Sequence, residues 1–289
     1  MSDMRTWEVI LYVYGPITVR DRILTTQQKG FQVEDPFYSD IEIQRQPSGL
    51  RATLTARAPD PEVAHNVALF FFGRMVDALT LATSRPMYLS LTGRERNPIQ
   101  YHDVRLIIEG HQFERAFRDA HRLGRSAPTF LRSLGWYRKG LTTENPLDKF
   151  LAFWNAIEIV VSKYFKSTIF NNQELKKKSF LSEDQWNAGG IKDKVYACFE
   201  ALWGASHDWP FIHDDQGWIR ESYDVRLDVA HGRVIIDVDA VTRINARVPI
   251  IEKVCYRFLN DWQKKFIDID SQSPGVLIEQ NVQDLPPEV

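Results

Sequence analysis

This sequence has little cysteine and no long apolar run. Cys198 and Cys255 are the only cysteines among its 289 residues, and they lie far apart, without the spacing of metal ligands. Both occupy apolar positions of predicted helices, which predicts two reduced, buried thiols. No stretch approaches the roughly 18 uninterrupted apolar residues of a membrane span, and no apolar run follows a basic flank at the start. We therefore expect a cytoplasmic protein without a membrane partner.

The chain also lacks an excess of charge of either sign. It has 36 lysines and arginines against 38 aspartates and glutamates, a net charge of −2. Any role in binding nucleic acid would therefore need a local basic patch. One such patch lies between His111 and Gly140, where seven basic residues accompany two acidic ones, a net charge of +5. Arg115, Arg118 and Arg122 line one helical face there, which could bind backbone phosphates or could simply be solvated.

Two histidines and three aspartates of the segment 203–218 have a composition that would suit zinc or manganese. They are His207, Asp208, His213, Asp214 and Asp215. No pair of them has the i, i+4 spacing that is typical of a helical metal site. The sequence also holds no Gly-rich phosphate loop, no Ser-His-Asp motif and no zinc-finger spacing. We therefore expect neither a metal nor another cofactor.

The N-terminal part of the chain has the pattern of strands around one helix. Alternating or β-branched runs predict half-buried strands. These runs cover residues 7–14, 41–44, 50–57, 88–92 and 104–108. Asp60 followed by Pro61 predicts the start of a helix, and Pro86 predicts its end. Strands before and after one helix favour an α+β domain, for which a sensory or regulatory role is our hypothesis.

The remainder of the chain has helical periodicity. Residues 150–165 are apolar nearly all round, which predicts the central helix of a bundle. The polar stretch 166–190 is expected to be an exposed connection. Further helices are predicted over residues 191–203, 218–231 and 235–266. Pro249 is expected to kink or break the last of them.

These patterns together predict an α+β fold class with two domains. A small α+β domain over residues 1–110 precedes an all-α helical bundle over residues 111–268. Each of the two is long enough to bury its own core. The polar, proline-containing residues 269–289 are expected to form a flexible tail.

The segment from Tyr223 to Gly232 places an arginine and a histidine five residues apart at a helix end. Arginine, at position 226, offers a fixed fork of donors that stays charged, and histidine, at position 231, is the residue type whose unperturbed titration falls near neutral pH. This combination suits phosphate chemistry. Gly232 is typical of the residue that follows a helix. Five steps of about 100° along an ideal helix leave the two side chains roughly 140° apart, so they do not automatically share a face. Tyr223 lies on roughly the same face as Arg226 and is either a substrate contact or a buried aromatic.

This segment resembles the signature of HEPN domains, helical bundles with Arg, about four intervening residues and His, often followed by Gly. Residues 137–139, Tyr-Arg-Lys, and the apolar helix Pro146 to Glu158 look like the opening helices of the HEPN group that includes methylamine-utilisation MauJ-type and Apea-like proteins. The resemblance covers roughly residues 127–265. Many HEPN ribonucleases carry a polar residue directly after the arginine, where this chain has Leu227.

The resemblance implies metal-independent cleavage of RNA by a homodimer. The ribose 2′-hydroxyl would attack the adjacent phosphorus, His231 would move the proton, and Arg226 would stabilise the charge that develops. HEPN domains commonly dimerise with two motifs facing one cleft. Arg226 of one subunit could then meet His231 of the other, which removes the angular problem. The resemblance is compatible with a defence, stress or toxin-like setting.

Further candidate residues accompany this pair. Glu158 is a carboxylate in an apolar helix and must find a partner. It could orient Arg226 or His231 in the cleft, or it could form a structural ion pair with Lys163 or Arg138. The candidate substrate-binding residues are Tyr223, Asp228, Arg115, Arg118, Arg122 and Arg138.

Two rival functions remain open at this point. The first is a non-catalytic HEPN module that binds a protein partner or nucleic acid, in which Arg226 pairs with Asp224 or Asp228 and His231 caps its own helix. Leu227 favours this alternative. The second is an accessory protein of amine utilisation, which rests on the resemblance alone.

Overall fold

Alternating apolar residues build one antiparallel sheet in the N-terminal part. The computed structural model describes residues 4–26, 37–91, 105–179, 181–213, 217–231 and 238–268. The strands are β1 (Arg5–Tyr14), β2 (Ile17–Thr18), β3 (Ile23–Thr26), β4 (Phe37–Gln46), β5 (Gly49–Ala58), β6 (Tyr88–Ser90) and β7 (Leu106–Ile107). Five of them form a sheet in the order β3-β4-β5-β1-β6, and β2 and β7 form a short parallel pair. A sheet followed by helices confirms the predicted α+β fold class with a helical C-terminal part.

One long helix, α1 (Pro61–Thr83), covers the apolar face of this sheet. The Asp60 carboxylate accepts a hydrogen bond from the Val63 N–H at 2.8 Å, and Pro61 occupies the first turn. Phe72 and Met75 of α1 are buried in one core with Leu11 of β1. The length and composition of α1 would also allow it to cross a membrane, but half of its most apolar window is buried inside the chain.

The next helix, α2 (Gly110–Ser126), belongs to two cores. Phe113 and Phe117 are buried with the sheet and α1, whereas Leu123 is buried with the helices that follow. The two cores therefore divide within α2, after the predicted domain boundary at residue 110. The reason is that the apolar face of α2 packs against α1 along most of the length of α2.

The helical part surrounds one apolar helix. Its helices are α3 (Pro128–Thr142), α4 (Pro146–Tyr164), α5 (Gln173–Lys178), α6 (Glu183–Ala188), α7 (Ile191–Trp203), α8 (Gly217–Ala230) and α9 (Val238–Trp262). α4 contacts α3, α7, α8 and α9, and Phe153, Trp154 and Ile157 on it are fully buried. Gly140 on α3 lets that helix approach α4, because a Cβ at this position would lie 2.5 Å from the Phe153 ring.

Two local expectations differ from the structure. The stretch 166–190 is not simply an exposed connection, because it contains a π-helical turn (Phe165–Phe170), α5 and α6, and it buries Ile169 and Trp186. Short helices of this kind carry too few residues for a periodic pattern. α9 continues through Pro249, which is exposed, so the single hydrogen bond lost there does not end the helix.

Candidate functional site

Arg226 on α8 is bound by Glu158 on α4. Its Nε donates to Glu158 Oε2 at 3.2 Å, and its Nη2 donates to Oε1 at 3.3 Å. The indole N–H of Trp154, one turn before Glu158 on α4, donates to the same Oε2 at 2.8 Å. The side chains of Arg226 and Glu158 are 23% and 22% exposed. Two parallel hydrogen bonds fix the plane of the guanidinium, so the arginine is held in one orientation near the surface.

The bond to Glu158 resolves the alternative partners considered for both residues. Arg226 bonds Glu158 rather than Asp224 or Asp228, and Glu158 bonds Arg226 rather than Lys163. Asp228 is half-buried on the same helix and makes no ion pair with another described residue. Among the described residues, Asp228 therefore takes no part in the ion pair that holds Arg226.

Tyr223 lies beside this pair on the side of the core. Its ring centroid is 6.1 Å from that of Trp154, and the Lys192 ammonium lies 5.5 Å from the centre of the Tyr223 ring. Trp154 itself is fully buried. The half-buried Tyr223 ring therefore supports the packing of Trp154, which in turn holds Glu158.

His231 follows the last residue of α8 and is exposed. Its backbone N–H donates to the Leu227 carbonyl at 3.0 Å, while its imidazole makes no hydrogen bond to another described residue. Arg226 points towards α4, so the structure does not bring the two side chains together within one chain. Gly232 lies outside the described residues.

An open groove of about 360 Å³ adjoins Glu158. Its walls come from the start of α3 and from α4. They are formed by Thr129, Asn155, Glu158, Ile159, Ser162 and Lys163. The hydroxyl, amide and ammonium groups of this groove can donate hydrogen bonds to a polar ligand beside Glu158, but Arg226 does not line the groove.

The three arginines predicted to form a phosphate-binding stripe differ in their surroundings. Arg115 is 79% exposed and lies 3.8 Å from Asp119, and Arg118 is exposed without an ion pair to a described residue. Arg122 Nη2 donates to Asp268 at 2.9 Å and lies 3.5 Å from Asp119. Arg122 is therefore occupied by carboxylates, which leaves Arg115 and Arg118 as the exposed members of the stripe.

Arg138, another predicted substrate-binding residue, is also used by a contact within the chain. Its Nε donates to the Asp77 carboxylate on α1 at 2.5 Å, and its Nη1 donates to the Met87 carbonyl at 3.4 Å. Burial raises the pKa of Asp77, and the guanidinium of Arg138 opposes that shift. The structure therefore places Arg138 in a link between α1 and α3 and not beside Arg226. A lone carboxylate in the apolar run 75–82 was the sequence signal for this partner.

Metal ligands do not gather in the part of the chain that the structure describes. No group of three or more histidine, cysteine, aspartate or glutamate side chains lies together there. His207 lies 3.5 Å from Asp208, and Asp214 and Asp215 lie outside the described residues.

Comparison with known proteins identifies no relative of this chain. No protein-family model matches the chain, and neither does any curated protein or solved structure. The HEPN resemblance therefore stays a prediction that rests on the residues quoted for it.

Proposed function

We propose that this chain is a HEPN-type, metal-independent endoribonuclease that acts as a cytoplasmic homodimer. The observation that carries the proposal is the Arg226–Glu158 pair, in which a carboxylate and a tryptophan fix an arginine near the surface. The same helix ends at an exposed histidine, His231. A charge donor with a fixed orientation and an imidazole that can accept a proton are the two parts that this cleavage needs. A defence, stress or toxin-like system is the setting we propose.

The chemistry follows from these two groups. His231 accepts the proton of the ribose 2′-hydroxyl as that oxygen attacks the adjacent phosphorus, the bond from phosphorus to the 5′-oxygen breaks, and the leaving 5′-oxygen takes up a proton from water or from the imidazolium. Arg226 stabilises the charge on the phosphorane-like state. General acid–base help contributes about 10²- to 10⁴-fold, and one well-placed donor contributes on the order of 3 kcal/mol. Two such groups are enough for a slow nuclease.

In this proposal, a second copy of the chain brings Arg226 and His231 close to each other. Because Arg226 faces α4 and His231 ends α8, a site within one chain would need the helix end to rearrange. In a two-fold dimer, Arg226 of one subunit meets His231 of the other, and each site occurs twice.

Cleavage of a labelled single-stranded RNA is the test. We expect cutting that EDTA does not change and products that end in a 2′,3′-cyclic phosphate. Arg226→Ala and His231→Ala should each lower the rate by about 10²-fold or more. Arg220→Ala is the matched control, because Arg220 is exposed on the same helix and makes no ion pair with a described residue. Loss of cutting on chelation, equal cutting of DNA, or full activity of His231→Ala would overturn the proposal.

Mixing the two inactive variants tests the composite site. In a mixed dimer of Arg226→Ala and His231→Ala, one site carries both substitutions and the other carries neither. Random reassociation should then restore about a quarter of the wild-type rate. No recovery in a sample that does contain mixed dimers would mean that each site lies within one chain.

The exposed arginines on α2 allow a separate test of RNA binding. If Arg115 and Arg118 both contact phosphate, replacing both by alanine should reduce the slope of log affinity against log salt by about 1.4, at roughly 0.7 per phosphate of a single strand. Arg125→Ala is the control, because Arg125 is also exposed on α2. An unchanged slope would mean that this face is merely solvated.

A non-catalytic module that binds a protein partner or nucleic acid is the second candidate. The bidentate bond is also what a purely structural ion pair requires, because Glu158 accepts hydrogen bonds from both Nε and Nη2 of Arg226. Under this alternative, purified protein cuts no RNA, whereas a loss of stability in Arg226→Ala is expected under both candidates. An accessory role in amine utilisation rests on the family resemblance alone.

A further inference from the structure

The ion pair between Arg122 and Asp268 fixes the point at which an acidic segment of the chain begins. Arg122 Nη2 on α2 donates to the Asp268 carboxylate at 2.9 Å, and Asp268 follows the π-helical turn after α9 (Gln263–Ile267). Lys265 is the last basic residue of the sequence. Residues 269–289 lie outside the described residues, and their sequence contains no lysine, arginine or histidine but four acidic residues, Asp270, Glu279, Asp284 and Glu288. This acidic segment therefore begins directly beside α2.

The part of the chain around Arg122 has an excess of positive charge. Residues 111–140 carry a net charge of +5. Two carboxylates from other parts of the chain neutralise some of it, because Asp77 bonds Arg138 and Asp268 bonds Arg122. A net charge of +3 remains after these two pairs, whereas the acidic segment carries −4. Opposite charges of similar size are therefore joined by a single short connection.

Two exposed arginines lie next to the point where this segment begins. Arg118 lies one helical turn before Arg122, and Arg115 lies two turns before it, on one face of α2. Arg118 makes no ion pair with a described residue, and Arg115 is 79% exposed and lies 3.8 Å from Asp119, a carboxylate that it shares with Arg122. Two turns span about 10 Å, whereas an extended chain advances by about 3.3 Å per residue. Asp270 can therefore reach Arg118, and the later carboxylates can reach both arginines.

We propose that the acidic segment 269–289 docks on the arginine stripe of α2, next to the pair of Arg122 and Asp268. Exposed ion pairs are weak one at a time. A segment that is tethered beside its site is held there at a millimolar effective concentration, so several weak pairs act together. The docked segment covers Arg115 and Arg118, which are also the arginines proposed to contact RNA, and it therefore competes with other anions for them. The docking itself does not depend on RNA cleavage.

The electron paramagnetic resonance line shape of a nitroxide label on the segment tests this docking. Cys198 and Cys255 are fully buried, so in the folded full chain the label reacts with the cysteine introduced by Gln283→Cys. We expect broad lines from a slowly reorienting label at about 0.01 M salt, where charges act over about 30 Å. Narrow lines are expected at about 1 M salt, where charges act over about 3 Å. Narrow lines at both salt concentrations would overturn the proposal, and so would broad lines at both.

Charge reversal on α2 locates the docking site. Arg115→Glu combined with Arg118→Glu should lower the ratio of slow to fast label about 10-fold at low salt, because two attractive contacts become repulsive. Lys178→Glu combined with Arg220→Glu is the matched control, because it makes the same change of charge at two exposed residues outside α2. The control should change the ratio by less than about twofold. An equal effect of the two double variants would mean that the segment responds only to net charge, and it would overturn the proposal.

Neutralising the segment gives an independent check, which remains informative if the α2 variant does not fold. Glu279→Gln combined with Asp284→Asn should release the label to a similar extent. A slow component that these two substitutions leave unchanged would mean that contacts other than charge hold the segment. A slow component that grows with protein concentration would mean that the segment docks on a second copy of the chain. Either result would overturn the proposal.

Discussion

Glu158→Gln tests how the candidate arginine is held. The carboxylate accepts two hydrogen bonds from Arg226 and one from Trp154. Glutamine keeps one acceptor oxygen, but its NH₂ group faces a donor of Arg226, and the negative charge is lost. Hydrogen bonds to charged groups contribute about 1.5–3 kcal/mol each, and the partial exposure of this pair reduces that value. We expect the free energy of unfolding to fall by about 2 kcal/mol.

Urea unfolding followed by circular dichroism measures this loss. At an m value of about 3 kcal/mol/M, the midpoint should fall by about 0.7 M. Glu144→Gln is the matched control, because Glu144 is exposed and makes no ion pair with a described residue. If the proposed function holds, the rate of RNA cleavage by Glu158→Gln should fall by about 10- to 100-fold, because a guanidinium displaced by 1 Å no longer meets the phosphate.

A double-mutant cycle decides whether the two residues act together. If the bidentate bond exists, the combined loss in Arg226→Ala with Glu158→Gln should be smaller than the sum of the two single losses. Additive losses, or a wild-type midpoint for Glu158→Gln, would refute this description of the site. The stability result stands whether or not the protein cuts RNA, so a failed cleavage assay and an absent ion pair are distinguishable.

Three further predictions concern the core. Burial raises the pKa of Asp77, so this carboxyl binds a proton more tightly in the folded protein than in the unfolded chain. The free energy of unfolding of the wild type, relative to that of Asp77→Asn, should therefore fall as pH rises from about 4. Urea unfolding at several pH values measures it, and a free-energy difference that stays constant or rises with pH would contradict the prediction. Gly140→Ala places a methyl group against the aromatic ring on α4 and should cost about 1–3 kcal/mol in a thermal melt, whereas Gly190→Ala, with open space around it, should be nearly neutral. Cys198 and Cys255 are fully buried, and burial raises the pKa of both thiols, so neither should react with a thiol reagent until the protein unfolds.

Local sequence patterns were sufficient for several of the longer regular elements. Asp60 and Pro61 marked the start of α1, and alternation over residues 50–57 marked β5. These signals work because a helix cap and a pleated strand depend on neighbours in the chain. The fold class could therefore be predicted before any tertiary contact was known.

Tertiary pairing was less predictable, because it joins residues that are distant in sequence. Glu158 and Arg226 are 68 positions apart, and the sequence left four candidate partners for the carboxylate. Arg138 was assigned to substrate, yet its partner Asp77 lies 61 positions earlier on a helix of the other core. Helical periodicity tells which face a residue occupies, but it does not tell which distant helix covers that face.

The division of α2 between two cores has a consequence for cooperativity. Phe117 packs on Phe72 of α1, with ring centroids 6.1 Å apart, while Leu123 of the same helix packs with the bundle. A fragment that begins at residue 111 would expose Phe113 and Phe117, at a cost of about 3–6 kcal/mol. That cost is a large share of the roughly 5–15 kcal/mol that holds a typical protein folded. The sheet and the bundle should accordingly melt in one transition, so a ligand that binds either part stabilises both.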